Sequence, residues 1–163
     1  ATNPCGEQPL PPYGACLLGS FNLVKYVAAG EFDFGLFTGD IYHVVRAMDN
    51  VIDRTIYPLE AQKQEAKNKR RIGLGITGLA NAGEMCNMPY ASPEFMKFTA
   101  EILQTLRDYS YSSSSLLAEE KGSFKIDFRK FDNLSFHFFC RVDFMVYLLC
   151  PINQIGMRRK IGK

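Results

Sequence analysis

The chain has 163 residues, 47% of them hydrophobic and 22% charged, with a formal net charge of +2. That is enough chain for one domain with a real core, and the near-neutral balance predicts neither direct DNA binding nor an electrostatic funnel for acidic substrates. No run of about eighteen uninterrupted apolar residues occurs, so no membrane span is expected.

The first twenty residues are dense in Pro, Gly and Cys. Pro4, Pro9, Pro11 and Pro12 exclude a helix and predict an extended loop. Ser20 to Val27 is expected to open a short helix that Gly30 ends. Ile41, Val44, Val45, Met48 and Ile52 recur at helical spacing and predict a helix over Phe34 to Asp53, closed by Tyr57-Pro58. Leu59 to Lys69 reads as a polar helix. Lys67, Lys69, Arg70 and Arg71, the one dense basic run, are expected to be a solvated helix end or loop. Ile72 to Leu79 is apolar, glycine-rich and short, as a buried strand would be.

Ser92-Pro93-Glu94 is a helix start, with Ser92 as cap and Pro93 in the first turn. From there Phe95, Phe98, Ile102, Leu103, Leu106, Leu116 and Leu117 predict a long amphipathic helix ending at Gly122. Ser110 and Ser112 to Ser115 suggest a linker by composition, but the flanking apolar period runs through them and the helix is kept. After about Phe131 the character changes: Leu134 to Cys150 is crowded with aromatic and aliphatic residues, and the last eight residues are basic and unpatterned.

Five cysteines, Cys5, Cys16, Cys86, Cys140 and Cys150, are an odd number with no CxxC spacing, and no signal peptide precedes them. They point to a reducing, cytoplasmic setting, in which a cysteine is packed or chemically used. The only histidines, His43 and His137, are far apart, so a zinc site is not expected. Gly73-Leu74-Gly75-Ile76-Thr77-Gly78 fits G-x-G-x-x-G, but a dinucleotide fingerprint needs a strand before it. Here a basic polar run precedes, and the glycine segment itself reads as the strand. Cys86 has no chemical context and is expected to be packing.

Asn3, Cys5 and Glu7 alternate with Pro4 and Gly6. In an extended segment they share one face, with neighbours roughly 6–7 Å apart, about the span of a sugar ring. An amide, a thiol and a carboxylate then line up against one small polar substrate. On these residues alone, an ordinary Asn-Pro-Cys-Gly turn with a packed cysteine is the favoured reading.

The longer run Asn-Pro-Cys-Gly-Glu-Gln-Pro-Leu-Pro-Pro-Tyr-Gly-Ala-Cys-Leu-Leu-Gly-Ser-Phe-Asn-Leu resembles the finger loop of ribonucleotide reductase large subunits. The form beginning Asn-Pro-Cys-Gly-Glu-Gln-Pro-Leu is most similar to the adenosylcobalamin-dependent class, and some viral diiron-dependent enzymes share it. Met48 to Asp53, Arg70 to Ala80 and Leu117 to Phe124 also resemble family segments, in the same order and spacing over roughly residues 1–128. One position departs: the family usually has Asn where this chain has Leu17, which removes a hydrogen-bonding side chain.

The resemblance implies ribonucleotide to 2′-deoxyribonucleotide reduction by radical chemistry. Cys5 matches the cysteine that becomes a thiyl radical and abstracts the ribose 3′-hydrogen. Glu7 matches the carboxylate that takes the 3′-hydroxyl proton; a glutamate with an ordinary pKa of about 4.3 is ionised at neutral pH. Asn3 matches the amide that orients the substrate. Cys16 matches one of two cysteines that reduce the substrate by forming a disulfide. The implied radical starter is adenosylcobalamin, with a diiron-tyrosyl radical partner subunit as the alternative. The implied partners are a ribonucleoside di- or triphosphate and a thioredoxin- or glutaredoxin-type reductant.

The implied fold is a helix-rich α/β structure, the second half only of a ten-stranded α/β barrel. Residues 1–131 would form this partial catalytic domain, and 132–163 an atypical tail foreign to the family, as a frameshift, intron read-through or split gene would produce. The first barrel half, the other reducing cysteine, the specificity loops, the phosphate-holding glycine-threonine loop and the C-terminal cysteine pair are missing from the run. The chain alone is therefore expected to be an inactive fragment that needs the remainder of the catalytic subunit. Half of a split subunit, or a non-radical thiol redox protein using Cys5 and Cys16, are the other readings.

Overall fold

The computed structural model describes residues 10–124 and the backbone of Asp143–Val146. Asn3, Cys5 and Glu7, and the expected boundary near residue 131, lie outside the described residues. In chain order the elements are β1 (Leu17–Asn22), a 3-10 turn (Leu23–Tyr26), β2 (Val27–Ala28), β3 (Glu31–Phe32), α1 (Phe34–Arg54), α2 (Glu60–Lys69), β4 (Arg71–Thr77), α3 (Leu79–Met85), α4 (Pro93–Lys121) and β5 (Asp143–Val146).

Two parallel pairings order the sheet β1-β4-β5, with Leu17 opposite Ile72 and Arg71 opposite Asp143. Parallel neighbours need a crossover, and α1 with α2 supplies it between β1 and β4. The sheet does not close among the described residues, and β1 is at its edge. The result is a helix-rich α/β arrangement with an open, all-parallel sheet, as part of a barrel would have.

The helices start and stop for local reasons. Asp33 caps α1 by accepting from the Leu36 N–H at 2.8 Å, and Ser92 Oγ caps α4 by accepting from the Phe95 N–H at 3.1 Å. Along α1, Phe37, Ile41, Val45, Met48 and Ile52 are buried, and they meet Phe98, Ile102, Leu106 and Leu117 of α4 and Phe21, Ile72 and Leu74 of the sheet. The serine-rich stretch stays helical. Ser110, Ser113 and Ser114 are buried, and small side chains at these positions leave room for packing. Ser113 donates to the Tyr109 carbonyl one turn back, at 2.6 Å. Tyr26 donates to Asp40 Oδ2 at 3.0 Å, and burial together with that carboxylate pushes its pKa up to about 12.

Three expectations change. Ser20 to Val27 does not open a helix. Leu17–Asn22 is a strand, because pairing with β4 satisfies its backbone and places Phe21 edge-on to Phe37, ring centroids 5.3 Å apart. The 3-10 turn follows, with Asn22 Oδ1 accepting from the Val24 N–H. Gly30 does mark an end, but of a hairpin: Ala29 and Gly30 both have positive φ and join β2 to β3, the geometry a two-residue turn between twisted strands requires. The glycine strand stops at Thr77 rather than Leu79. Gly78, in the left-handed region at φ 70°, turns the chain into α3, a helix the sequence reading missed. The third change concerns the basic run and belongs to the site.

Candidate functional site

Cys16 sits immediately before β1, and Arg71 opens β4. Both line a cleft of about 150 Å³, together with Val51, Ile52 and Thr55 from α1 and the loop after it, Tyr57, and Ala66 of α2. Cys16 is half-buried, with Sγ 3.8 Å from the Leu17 carbonyl oxygen, a weak thiol contact. Leu17, the side chain that departs from the family pattern, is partly buried against the core and also lines this cleft. Tyr57 Oη donates to the Ile52 carbonyl at 3.2 Å and Thr55 Oγ1 to the Val51 carbonyl at 2.6 Å; both bonds tie the cleft wall to the last turn of α1. Arg71 is held by Glu65 at 3.0 Å.

Behind this wall is a group that sequence reading did not find. Lys67 is solvated at the end of α2, as expected of a basic run, but Arg70 is only 3% exposed. Its Nε donates to Asp49 Oδ1 at 2.8 Å, its Nη1 to Asp53 Oδ1 at 2.8 Å, and its Nη2 to the Asp49 carbonyl at 2.9 Å and to Asp49 Oδ1. Asp49 is fully buried, and its second oxygen accepts from Lys121 Nζ at 2.9 Å. Two carboxylates thus meet two cations. Burial pulls the Arg70 pKa down, but the bonds to Asp53 and Asp49 outweigh it and the net shift is upward. The only signal in the sequence was the pairing of Asp49 and Asp53 at helical spacing, which by itself looks like a solvated face.

A buried charge left without its partner is costly, whereas an intact pair is close to neutral. Asp49→Asn is therefore expected to destabilise the fold by about 3–5 kcal/mol, since it withdraws the charge shared by Arg70 and Lys121. The denaturant midpoint measured against the parent checks this.

The glycine motif offers no nucleotide cradle. Gly73 and Gly75 lie within β4, in register with Leu18 and Ser20 of β1, and no strand precedes them in the manner of a dinucleotide fingerprint. Cys86 lies at the C-terminal end of α3, where burial, and then the Glu31 charge, push its thiol pKa up. Both effects disfavour its thiolate form. Among the described residues no three His, Cys, Asp or Glu side chains gather as a metal site, and no helix is long and apolar enough to cross a membrane.

The chain matches the family model described as "Ribonucleotide reductase, barrel domain" over residues 1–140. It is 41% identical over 125 residues to a vitamin B12-dependent ribonucleoside-diphosphate reductase of Thermoplasma acidophilum, covering 76% of this chain and 16% of that protein. A Mycobacterium tuberculosis protein of the same name is 39% identical over 124 residues, covering 76% of this chain and 18% of the relative. A ribonucleoside-diphosphate reductase subunit alpha of Chlamydia pneumoniae is 36% identical over 109 residues, 67% of this chain and 10% of that subunit. The chain thus spans less than a fifth of the length of these relatives. With the parallel glycine strand, the strand entered from Cys16 and the family match all falling on the same residues, this chain belongs to the ribonucleotide reductase barrel-domain family.

Proposed function

We propose that this chain contributes the radical-cysteine portion of a ribonucleotide reductase, which reduces ribonucleoside diphosphates to 2′-deoxyribonucleotides for DNA synthesis. The observation that carries this reading is the 39–41% identity, over about three quarters of the chain, to relatives named for that reaction. In this reading Cys5, as a thiyl radical, takes the ribose 3′-hydrogen, and Glu7 accepts the 3′-hydroxyl proton while Asn3 orients the sugar. The 2′-hydroxyl leaves as water. Cys16 and a second cysteine beyond this chain protonate the departing hydroxyl, then supply a hydrogen to C2′ and an electron to the 3′-carbonyl as they close a disulfide; Glu7 returns its proton to the 3′-oxygen, and Cys5 returns its hydrogen to C3′ and is a radical again. A dithiol reductant of the thioredoxin or glutaredoxin type then reopens the disulfide. The odd cysteine count fits a reducing compartment, and we assign the protein to the cytoplasm.

The names of the two more similar relatives favour adenosylcobalamin as radical starter, with a diiron-tyrosyl radical partner subunit as the alternative. The Cys16 cleft, at about 150 Å³, is far too small for a corrin ring. The open edge of β1 favours a second point: the chain works only when joined to the rest of the subunit, whether in one polypeptide or after assembly of two.

The test is nucleotide reduction by the complete subunit carrying this sequence, with a dithiol reductant, with and without adenosylcobalamin. Cobalamin-dependent formation of deoxynucleoside diphosphate is expected; no product under either condition would reject the function. Cys16→Ser in the same assay should still allow the 3′-hydrogen to be abstracted, seen as exchange of a 3′-tritium label or substrate breakdown, while deoxynucleotide fails to accumulate. Unchanged product formation would remove Cys16 from the reducing pair.

A further inference from the structure

Arg70 breaks two ordinary rules at once. It is a buried arginine, and it adopts left-handed backbone angles, φ 49° and ψ 51°, at the C-terminal cap of α2, where glycine is the usual residue. Its backbone N–H closes α2 on the Ala66 carbonyl at 2.8 Å, and the next residue begins β4. The guanidinium reaches back to α1 through Asp49 and Asp53.

The lock and the cleft use interleaved residues. Val51, Ile52 and Thr55 line the cleft, while Asp49 and Asp53 of the same helix end hold Arg70; Ala66 and Arg71 line it from either side of Arg70 itself. Ile72, one residue further, is in register with Leu17, the neighbour of Cys16. Contact between α1 and α4 does not need Arg70, since Arg46 to Glu120 and Lys121 to Asp49 already bridge those helices. What Arg70 adds is a tie between α1 and the turn that delivers β4 to the cleft.

We propose that Asp49, Arg70 and Asp53 form a positioning unit for Cys16, fixing the wall against which that thiol is presented. The unit touches no substrate; it acts through the cleft. The inference rests on the reading of Cys16 as a redox cysteine, but its test does not depend on turnover.

In the complete subunit, the rates at which iodoacetamide alkylates Cys16 and Cys86 are compared by peptide mass spectrometry. Arg70→Gly suits the left-handed backbone and removes only the fork. It should speed Cys16 alkylation by about tenfold through local opening, with Cys86 within about twofold of its parental rate. Arg70→Lys should behave like Arg70→Gly, because an ammonium cannot satisfy two carboxylates and a carbonyl as a planar fork does. Asp53→Asn, at a carboxylate 38% exposed, should leave the fold intact and move Cys16 in the same direction by less.

A parental Cys16 rate in Arg70→Gly would overturn the proposal, and so would equal acceleration of both cysteines, which marks general loosening. If Arg70→Gly does not fold, Asp53→Asn decides, and an unchanged Cys16 rate there overturns it. A subunit that makes no deoxynucleotide but shows the selective Cys16 effect would reject the function proposed above and leave the positioning unit standing.

Discussion

Cys5→Ser in the complete subunit is expected to abolish deoxynucleotide formation while leaving nucleotide binding near the parental value. Serine matches cysteine in shape and differs by one atom, so substrate contacts survive. The chemistry does not, because an O–H bond holds its hydrogen much more tightly than an S–H bond. The radical starter then cannot draw the hydrogen away, and no abstraction from the ribose follows. This separates Cys5 from Cys16. Loss of Cys16 removes a source of electrons after the radical has acted, so label exchange at C3′ persists; loss of Cys5 removes the radical, and exchange stops as well. Measuring substrate affinity, 3′-label exchange and deoxynucleotide yield for the two variants side by side gives each a distinct pattern. Parental turnover in Cys5→Ser would defeat the assignment of the radical to this residue.

How much of this could be seen in the sequence depended on whether the information was local. Helix α1 was legible because its apolar residues recur at the helical period; α4 was legible from Ser92 and Pro93, and its apolar period correctly overrode the serine composition. β4 was legible as a short apolar run. β1 was not. Leu17 to Asn22 has two leucines, a glycine and a serine in a row, with no clean alternation, and it is a strand because β4 lies beside it, more than fifty residues away. α3 was hidden because Gly78 serves both as the end of a strand motif and as the start of a helix. Arg70 was misread for a related reason. A charge run is solvated unless a partner lies opposite, and its partners are 17 and 21 residues back along the chain. The chemistry at Asn3, Cys5 and Glu7 was suggested by their alternation, but only the resemblance over a longer run distinguished it from a turn.

Glu7→Gln is expected to retain nucleotide binding and to lower turnover by roughly 10²–10⁴, the range in which a positioned general base contributes. The reading places Glu7 and Asn3 on either side of Cys5, on one face of an extended segment, so a carboxylate reaches the 3′-hydroxyl whose hydrogen-bearing carbon Cys5 attacks. Once the 3′-hydrogen is gone, removing the hydroxyl proton drives out the 2′-hydroxyl as water, and that demand falls on the transition state rather than on the bound substrate. Glutamine keeps the length and can still hydrogen-bond the 3′-hydroxyl, but it cannot accept a proton. The loss should therefore appear in kcat and leave KM close to the parent, as expected when an interaction is made only in the transition state. If Glu7 instead held the loop in shape through bonds to nearby backbone, glutamine would replace it and turnover would survive. Near-parental kcat in Glu7→Gln would assign the residue to loop structure, and a rise in KM at constant kcat would assign it to substrate binding. Only a fall in kcat with binding retained makes Glu7 the proton acceptor.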